Sequence, residues 1–238
     1  MDKEIKSYAA YIATLTQISK AITSDLYLED VLKLIVTLTA TVMRAKICAL
    51  WLLDDTTQAL KIKATQAMSS EYLKARTIRV GEGIVGLVAQ TLQPVIIPDV
   101  LKDERYKEKK LAKMEKLVSM LSVPMLVKNR LIGVLSVYTH EFYEFSSSEI
   151  DLVVTVANQA AVAIENTELI VKTRVIQEEL ELRKKVERAK GILMRQQGLS
   201  EQQAYDLMRT SSMSKRVPMK DIAEAIILSA EITQLVAR

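Results

Sequence analysis

Apolar residues in the first 44 positions recur at steps of three and four, the spacing that places side chains on one face of an α-helix. One such run comprises Tyr8, Tyr11, Ile12, Leu15 and Ile18. A second comprises Val31, Leu34, Ile35, Leu38 and Val42. Polar residues occupy most of the positions between them, so both segments are predicted to be helices that bury one face.

The pattern then changes to the alternation and short apolar runs that are typical of β-strands. Strands are predicted at residues 46–53, 60–64, 95–97, 118–127 and 131–138. The last two are joined through residues 128–130 as an antiparallel hairpin. Helices are predicted near residues 84–92 and 106–115. Because helices and antiparallel hairpins are mixed, residues 21–165 are predicted to form an α+β domain with an antiparallel sheet and flanking helices.

After Phe145 the pattern is wholly helical. Ser146 and Glu149 have the spacing of a capping box, so a helix is predicted to start there and to run to about Gln197. Its early half is apolar almost all round, which indicates packing on a domain. Its later half keeps a narrow apolar stripe, which is typical of a two-stranded coiled-coil seam. That stripe consists of Val175, Leu182, Val186, Ala189 and Leu193.

Two more helices are predicted after this long one. Gly198 can end the long helix, and Ser200 with Gln203 can cap the next, which runs to about Ser212. Pro218 suits the first turn of a third helix that reaches Leu235. The end of the chain is therefore predicted to be a small three-helix all-α domain.

The predicted organisation has four parts. One of them, the long helix, overlaps both domains. The four parts are an N-terminal helix at 1–20, an α+β domain at 21–165, a connecting and dimerisation helix at 149–197 and an all-α domain at 172–238.

Composition narrows the class of protein. Hydrophobic residues make up 49% and charged residues 26% of the 238 residues, as in globular proteins with a buried core. The single cysteine, Cys48, and the single histidine, His140, exclude a disulfide framework and most metal sites. No apolar run approaches the length of about 20 residues that a membrane span needs. The chain also starts without the apolar stretch of a signal peptide, so a cytoplasmic protein is expected.

Net charge is unevenly distributed along the chain. Residues 1–170 are neutral, whereas residues 171–238 hold 13 basic and 9 acidic residues, a net charge of +4. The long helix carries Arg183, Lys184, Lys185, Arg188, Lys190 and Arg195, and a second cluster comprises Lys215, Arg216 and Lys220. Such residues can form a solvated face with ion pairs to nearby glutamates. Their local excess also favours contact with nucleic-acid phosphates.

Two motifs invite other interpretations. Gly81, Gly83 and Gly86 match the G-x-G-x-x-G pattern of dinucleotide-binding proteins, but the strand–helix–strand context that this site requires is missing. A tight turn that opens a helix is the preferred interpretation. Asp54 with Asp55, then Asp99 and Lys128, follow the order of phosphoacceptor receiver domains, but antiparallel hairpins conflict with the parallel sheet of a receiver. These residues are interpreted as surface turn residues.

The sequence offers few residues that could carry out catalysis. One His and one Cys do not supply a nucleophile with a base and an orienting group, so an enzyme is not expected. Cys48 lies in an apolar run and is predicted to be a buried structural residue.

Residues 21–170 resemble a GAF domain. The resemblance rests on Gly81-Glu-Gly-Ile-Val-Gly-Leu-Val88, Val123-Pro-Met-Leu-Val127, Leu131-Ile-Gly-Val-Leu135, Phe145-Ser146 and Ala157-Asn-Gln-Ala-Ala-Val-Ala-Ile-Glu-Asn166. It implies a sensory domain with a pocket for a small-molecule effector. The effector and any cofactor stay unknown, because members of this family bind different ligands or none.

Residues 172–235 resemble an ANTAR domain. The resemblance rests on Val186-Glu-Arg-Ala-Lys-Gly-Ile-Leu-Met194, Gly198-Leu-Ser-Glu-Gln-Gln-Ala-Tyr205, Leu207-Met-Arg209 and Lys220-Asp-Ile-Ala223. It implies a homodimeric bacterial antitermination regulator that binds the hairpins of leader RNA. The residues assigned to RNA are Arg188, Lys190, Arg195, Arg209, Lys215, Arg216 and Lys220. Tyr205 is assigned to the core rather than to base stacking.

Three alternatives stay open at this point. The terminal helices suit a DNA-binding regulator with a helix-turn-helix. The GAF-like pocket suits a small-molecule-dependent enzyme. Asp99 suits a module that is controlled by phosphorylation.

Overall fold

The structure, a computed structural model, describes residues 2–67 and 76–236. Within these residues the chain forms seven helices: α1 (Asp2–Ile22), α2 (Leu28–Val42), α3 (Gly83–Thr91), α4 (Lys109–Glu115), α5 (Ser147–Gln197), α6 (Glu201–Lys215) and α7 (Met219–Val236). They also form six strands: β1 (Ile47–Asp54), β2 (Ala59–Thr65), β3 (Thr77–Arg79), β4 (Val95–Ile97), β5 (Met120–Val127) and β6 (Arg130–Tyr138). The first two predicted helices and all five predicted strands are confirmed. Residues 1, 237 and 238, at the ends of the predicted parts 1–20 and 172–238, lie outside the described residues.

The chain divides into two compact units, Met1–Glu168 and Leu169–Arg238. The first contains the sheet. The second consists of the last part of α5 with α6 and α7. Among residues 2–67 and 76–236, no helix has the length and apolar character needed to cross a membrane.

The sheet of the first unit has six strands in the order β3-β2-β1-β6-β5-β4, and every neighbouring pair is antiparallel. The hairpin between β5 and β6 turns through Lys128 and Asn129, which both have positive φ (48° and 64°). A two-residue turn of this handedness matches the twist of the strands that it joins. The predicted α+β class with an antiparallel sheet is confirmed.

Each face of the sheet carries its own hydrophobic core, because successive side chains of a strand point to opposite sides. In β1, Cys48 and Leu50 belong to the core that α2 and the early part of α5 cover. Ile47, Ala49 and Trp51 belong to the other core, which α3 and the residues around α4 cover. The second core borders the cavity described below.

The long helix α5 begins with the capping box that the sequence predicts. The backbone N–H of Ser146 donates to the carboxylate of Glu149 at 2.8 Å, and the N–H of Glu149 donates to Ser146 Oγ at 3.4 Å. In the first unit α5 buries Val153, Val156 and Ala157 completely, as its apolar early half predicts.

The second unit is the predicted three-helix domain. Ser200 and Gln203 form a capping box at the start of α6, and α7 begins directly after Pro218. Its core comprises Ala189, Ile192, Leu193, Ala204, Met208, Ala223, Ile227 and Ala230. Ala189 and Leu193 are therefore buried by α6 and α7, and the prediction that they line a two-stranded seam is wrong.

Candidate functional site

The glycine motif forms the turn that opens α3. Gly81 and Gly83 have positive φ (85° and 61°), and the N–H of Gly81 donates to the carbonyl of Gly86 at 2.8 Å. A Cβ at Gly86 would collide with the backbone oxygen of Arg79. The strand before the turn, β3, is three residues long and antiparallel to β2. The interpretation as a tight turn is confirmed, and the βαβ context of a dinucleotide site does not occur at this turn.

The aspartates that suggested a receiver domain also stabilise turns. Asp54 Oδ1 accepts hydrogen bonds from the N–H groups of Thr56 and Thr57, and the Lys61 ammonium lies 3.0 Å from Asp54 Oδ2. The hydrogen bond from Lys61 comes first among the causes that lower the pKa of Asp54 to about 2. Asp99 Oδ1 accepts from the N–H of Leu101 at 3.0 Å. Asp54 is the last residue of β1 and Asp99 follows β4, and the carboxylate of each stabilises the turn that comes after it, in agreement with the predicted role in turns.

A cavity of about 120 Å³ lies between the sheet and the start of α3. Trp51 of β1, Met120 of β5 and Tyr138 of β6 provide its apolar floor, and the first turn of α3 with residues 106–108 provides its walls. Trp51 is 1% exposed, and its Nε1 has no hydrogen-bond partner among the described residues.

An ion pair stands beside this cavity. Arg76 contacts the carboxylate of Glu108, and its guanidinium carbon lies 5.4 Å from the centre of the Trp51 ring. Burial raises the pKa of Glu108, and the nearby Arg76 opposes that shift. Burial and the adjacent Tyr138 raise the pKa of Tyr106. These groups lie in surroundings of low polarity, where electrostatic contacts are stronger than in water.

Neither Cys48 nor His140 belongs to this cavity. Cys48 is fully buried, and burial raises the pKa of its thiol. His140 is exposed and lines a groove of about 850 Å³ between α1, α2 and residues 139–149. In the same groove the Tyr143 hydroxyl donates to Glu149 at 2.5 Å, a contact that raises the pKa of Tyr143 to about 12. In the described part of the chain, no three or more His, Cys, Asp or Glu side chains form a group able to hold a metal ion.

In the second unit, two of the seven cations assigned to RNA form ion pairs. Arg188 contacts Glu231 at 2.7 Å. Lys190 contacts Glu187 at 2.9 Å and Glu201 at 2.7 Å, with its side chain only 8% exposed. The hydrogen bonds with Glu201 and Glu187 raise the pKa of Lys190. Both cations connect helices of the unit.

The other five cations are exposed, and none forms a direct ion pair in the ranges 2–67 and 76–236, although the charge of Lys220 contributes to lowering the pKa of Glu224. They are Arg195, Arg209, Lys215, Arg216 and Lys220. Lys215 ends α6, Arg216 is its C-cap and Lys220 lies in the first turn of α7, and we call this corner between the two helices the basic corner. Arg195 lies near the opposite end of α6, which is about 22 Å long at 1.5 Å per residue.

The backbone of the basic corner is fixed by local hydrogen bonds. Arg216 has a left-handed conformation (φ 54°) that ends α6. The Ser212 hydroxyl donates to the carbonyl of Val217 at 2.7 Å, and the N–H of Val217 donates to the carbonyl of Ser212 at 3.1 Å. The chain therefore reverses within a few residues, and the three cations lie at this reversal.

The prediction that Tyr205 belongs to the core is wrong. Its side chain is 39% exposed, whereas the preceding residue, Ala204, is fully buried. Successive side chains of a helix point about 100° apart. Because Ala204 faces the core, Tyr205 points away from it. Arg209 follows four residues later, so Tyr205 and Arg209 lie near one line along α6.

The GAF resemblance implied a pocket, but the sequence did not predict which residues line it beside Trp51, because they come from segments that are distant in the chain. The one local signal was the glycine turn that leads into α3.

Comparisons with known proteins agree with this two-unit structure. The GAF domain model matches residues 27–164, and the ANTAR domain model matches residues 174–227. A phosphoenolpyruvate-dependent phosphotransferase system protein of Escherichia coli (strain K12) is 28% identical over 158 residues, which are 66% of this chain and 21% of that protein. The chain thus spans about a fifth of the length of this curated relative.

Two further relatives are each similar to part of this chain. The transcriptional regulatory protein PdtaR of Mycobacterium tuberculosis (strain CDC 1551 / Oshkosh) is 38% identical over 63 residues, which are 26% of this chain and 31% of that protein. The solved GAF domain of a phosphoenolpyruvate-protein phosphotransferase from Coxiella burnetii is 26% identical, with a TM-score of 0.64. That match covers 69% of this chain and 98% of the solved one. The chain belongs to the GAF domain family, and its GAF domain is followed by an ANTAR domain.

Proposed function

We propose that this chain is a signal-responsive regulator of transcription antitermination that binds leader-RNA hairpins through its ANTAR domain. The observation that carries the proposal is the set of five exposed cations on and beside α6 that form no direct ion pair in the described structure. Exposed cations of this kind can replace the counterions of a phosphate backbone. The similarity to PdtaR, which is named as a transcriptional regulatory protein, supports a regulatory role.

The five free cations contact RNA phosphates in this proposal. Tyr205 lies on the same face of α6 as Arg209 and stacks on an unpaired loop base, because single-stranded bases are the part of a hairpin that a protein can read. Arg188 and Lys190 act differently. Both are already paired with glutamates, so in this proposal they hold α5 against α7 and α6.

Binding alone is enough to control a terminator. A terminator hairpin and an antiterminator hairpin are rival folds of one transcript, and a protein that binds only one of them shifts the equilibrium by mass action. The proposal therefore assigns binding and no catalytic step to this chain. It places the protein in the cytoplasm, where transcripts are made.

The partner of the long helix is a second copy of the chain. Leu169, Ile176 and Leu180 are exposed on α5 and follow coiled-coil spacing, and we call them the α5 stripe. A dimer presents two basic corners, which suits a leader with two hairpins.

The GAF domain receives the signal. Its cavity beside Trp51 is the proposed effector site, and the domain is the input of the regulator rather than an active site.

The decisive experiment is a binding titration of the full chain against a labelled two-hairpin leader RNA at several salt concentrations. Arg216→Ala and Lys215→Ala should each weaken binding several-fold and lower the salt dependence by about one counterion. Lys184→Ala is the matched control, because it removes one charge that is paired with Glu181 at 3.0 Å. Equal effects of the control and the corner variants would refute the assignment.

A duplex DNA of the same charge and length tests the alternative of a DNA-binding regulator. The three-residue connection between α6 and α7 is compatible with a helix-turn-helix. At equal salt, tighter binding to the duplex than to the hairpins would favour that alternative and contradict antitermination.

A further inference from the structure

A cluster of lysines lies on and beside the short helix α4 of the GAF domain. Residues 107–116 hold five lysines and two glutamates, a net charge of +3. Residues 1–170 as a whole are neutral, so the other residues of that range carry a net charge of −3. This segment is therefore positive in a domain whose remainder is negative.

The fold turns three of these lysines to solvent. Leu111 and Ala112 of α4 are buried in the core on this side of the sheet. Lys110 and Lys113 are exposed and lie about one helical turn apart. Lys116, the C-cap of α4, is also exposed. We call Lys110, Lys113 and Lys116 the lysine face.

No lysine of this face forms a direct ion pair within the part of the chain that the structure describes. Two acids of the preceding segment are paired with other cations: Asp103 contacts Arg105 at 2.7 Å, and Glu108 contacts Arg76. Glu115 is the one carboxylate of α4, and a single negative charge does not balance three lysines. The lysine face therefore keeps an excess of positive charge.

This excess of charge favours a polyanion as the partner. Neighbouring like charges on a helix repel one another, and contact with phosphates relieves that repulsion. A lysine ammonium that contacts a phosphate also releases a counterion from the nucleic-acid backbone, which favours binding. The lysine face thus has the chemistry of a phosphate contact that does not depend on the base sequence.

RNA suits this surface better than a lipid surface does. A helix that binds a membrane surface inserts an apolar face at the level of the head groups. The apolar side of α4 is buried in the domain, and Met114 is the one large apolar side chain that this helix exposes. RNA is also the polyanion that the ANTAR domain binds in the proposed function, and the first contact raises the effective concentration for a second one.

We propose that the lysine face binds the phosphate backbone of the same RNA that the ANTAR domain recognises, as a second contact without sequence preference. The inference rests on the proposed function, because the ANTAR domain supplies the specific recognition. Residues 106–108, which line the cavity, lead directly into α4. The RNA contact therefore lies next to the proposed effector site.

The test is the salt dependence of RNA binding by the full chain, measured by the fluorescence anisotropy of a labelled two-hairpin leader RNA. Lys110→Gln/Lys113→Gln/Lys116→Gln removes three positive charges and should weaken binding about tenfold at ~0.1 M salt. The slope of log Kd against log salt concentration should become shallower by about two, because three phosphate contacts are lost.

Lys20→Gln/Lys33→Gln/Lys46→Gln is the matched control. It changes the net charge of the same unit by the same amount, and its three lysines are also exposed but lie on α1, on α2 and directly before β1. The control should keep the native slope. Equal effects of the two triple variants would show that only net charge matters and would overturn the inference. Because all six lysines are exposed, both variants should keep the native thermal midpoint.

Vesicles that contain phosphatidylserine test the lipid alternative. Vesicle binding that the lysine-face variant loses, while its RNA binding keeps the native slope, would overturn the inference in favour of a membrane. An unchanged slope without vesicle binding refutes the second RNA contact alone, if the basic-corner variants still weaken RNA binding. A native chain that does not bind the hairpins contradicts the proposed function itself and, with it, this inference.

Discussion

Lys190 Nζ lies 2.7 Å from Glu201 Oε1, and this contact joins α5 to the first turn of α6. The lysine is nearly buried, and Glu187 contacts it from the preceding turn of α5. A buried ammonium with two carboxylate partners holds the helices in one geometry. The pair therefore supports the surface that carries the free cations, although it contributes no free charge itself.

We expect Glu201→Gln to lower the thermal midpoint of the ANTAR unit by a few degrees at neutral pH. The hydrogen bond from Lys190 lowers the pKa of Glu201 below its usual 4.5, and the two glutamates raise the pKa of Lys190 above 10.5. The charged pair therefore stabilises the fold between these limits, and its contribution is lost as the pH falls through the lowered pKa of Glu201.

Thermal melts of the native chain and of Glu201→Gln at a series of pH values measure this effect. The difference between the two should be largest near neutral pH and should vanish in acid. Glu181→Gln is the control, because its pair with Lys184 is exposed on both sides and such pairs contribute little. A difference that grows in acid would contradict the sign of the pKa shift.

Gly86→Ala should destabilise the GAF unit by about 1–3 kcal/mol, as overpacking in a rigid site does. The added Cβ would meet the backbone oxygen of Arg79, which the turn cannot move without losing its own hydrogen bonds. Urea unfolding followed by Trp51 fluorescence reports this unit. Gly191→Ala is the control: its Cβ meets no atom within 4 Å and it lies in the ANTAR unit, so the unfolding transition that Trp51 reports should not change.

Ser122 and Ser136 are fully buried cross-strand partners whose hydroxyl oxygens lie 2.8 Å apart. Ser122→Ala leaves the other hydroxyl without this partner, which should cost about 1–3 kcal/mol. The double variant Ser122→Ala/Ser136→Ala should cost clearly less than the sum of the two single changes, because no hydroxyl is then orphaned. Unfolding free energies of the four proteins give the coupling, and strict additivity would show that the hydrogen bond contributes nothing.

Local patterns predicted the elements of this fold because the relevant forces act over a few residues. Helical periodicity located α1 and α2, and the capping boxes at Ser146 and Ser200 located the starts of α5 and α6. The glycine turn before α3 was also visible, since positive φ and close packing demand glycine there.

Tertiary contacts determine which cations are paired and which part of α5 is covered, and the sequence alone could not predict either. Lys185 and Arg188 find their glutamates 39 and 43 residues further along the chain, so no local spacing separates the paired cations from the free ones. The apolar stripe of the later α5 has coiled-coil spacing, but in its last turns α6 and α7 cover it instead of a second chain. Both outcomes depend on how three helices pack.

The α5 stripe makes the proposed dimer testable with one substitution. Leu169, Ile176 and Leu180 are all more than half exposed, and Ile176 lies in the middle. Ile176→Lys places a charge in the proposed seam and should convert the dimer to a monomer in sedimentation experiments. Val171→Lys is the control, because Val171 is equally exposed but lies on the opposite side of the helix. If the control dissociates and Ile176→Lys stays dimeric, the seam runs along the opposite face, and if neither dissociates, the α5 stripe is not the dimer contact.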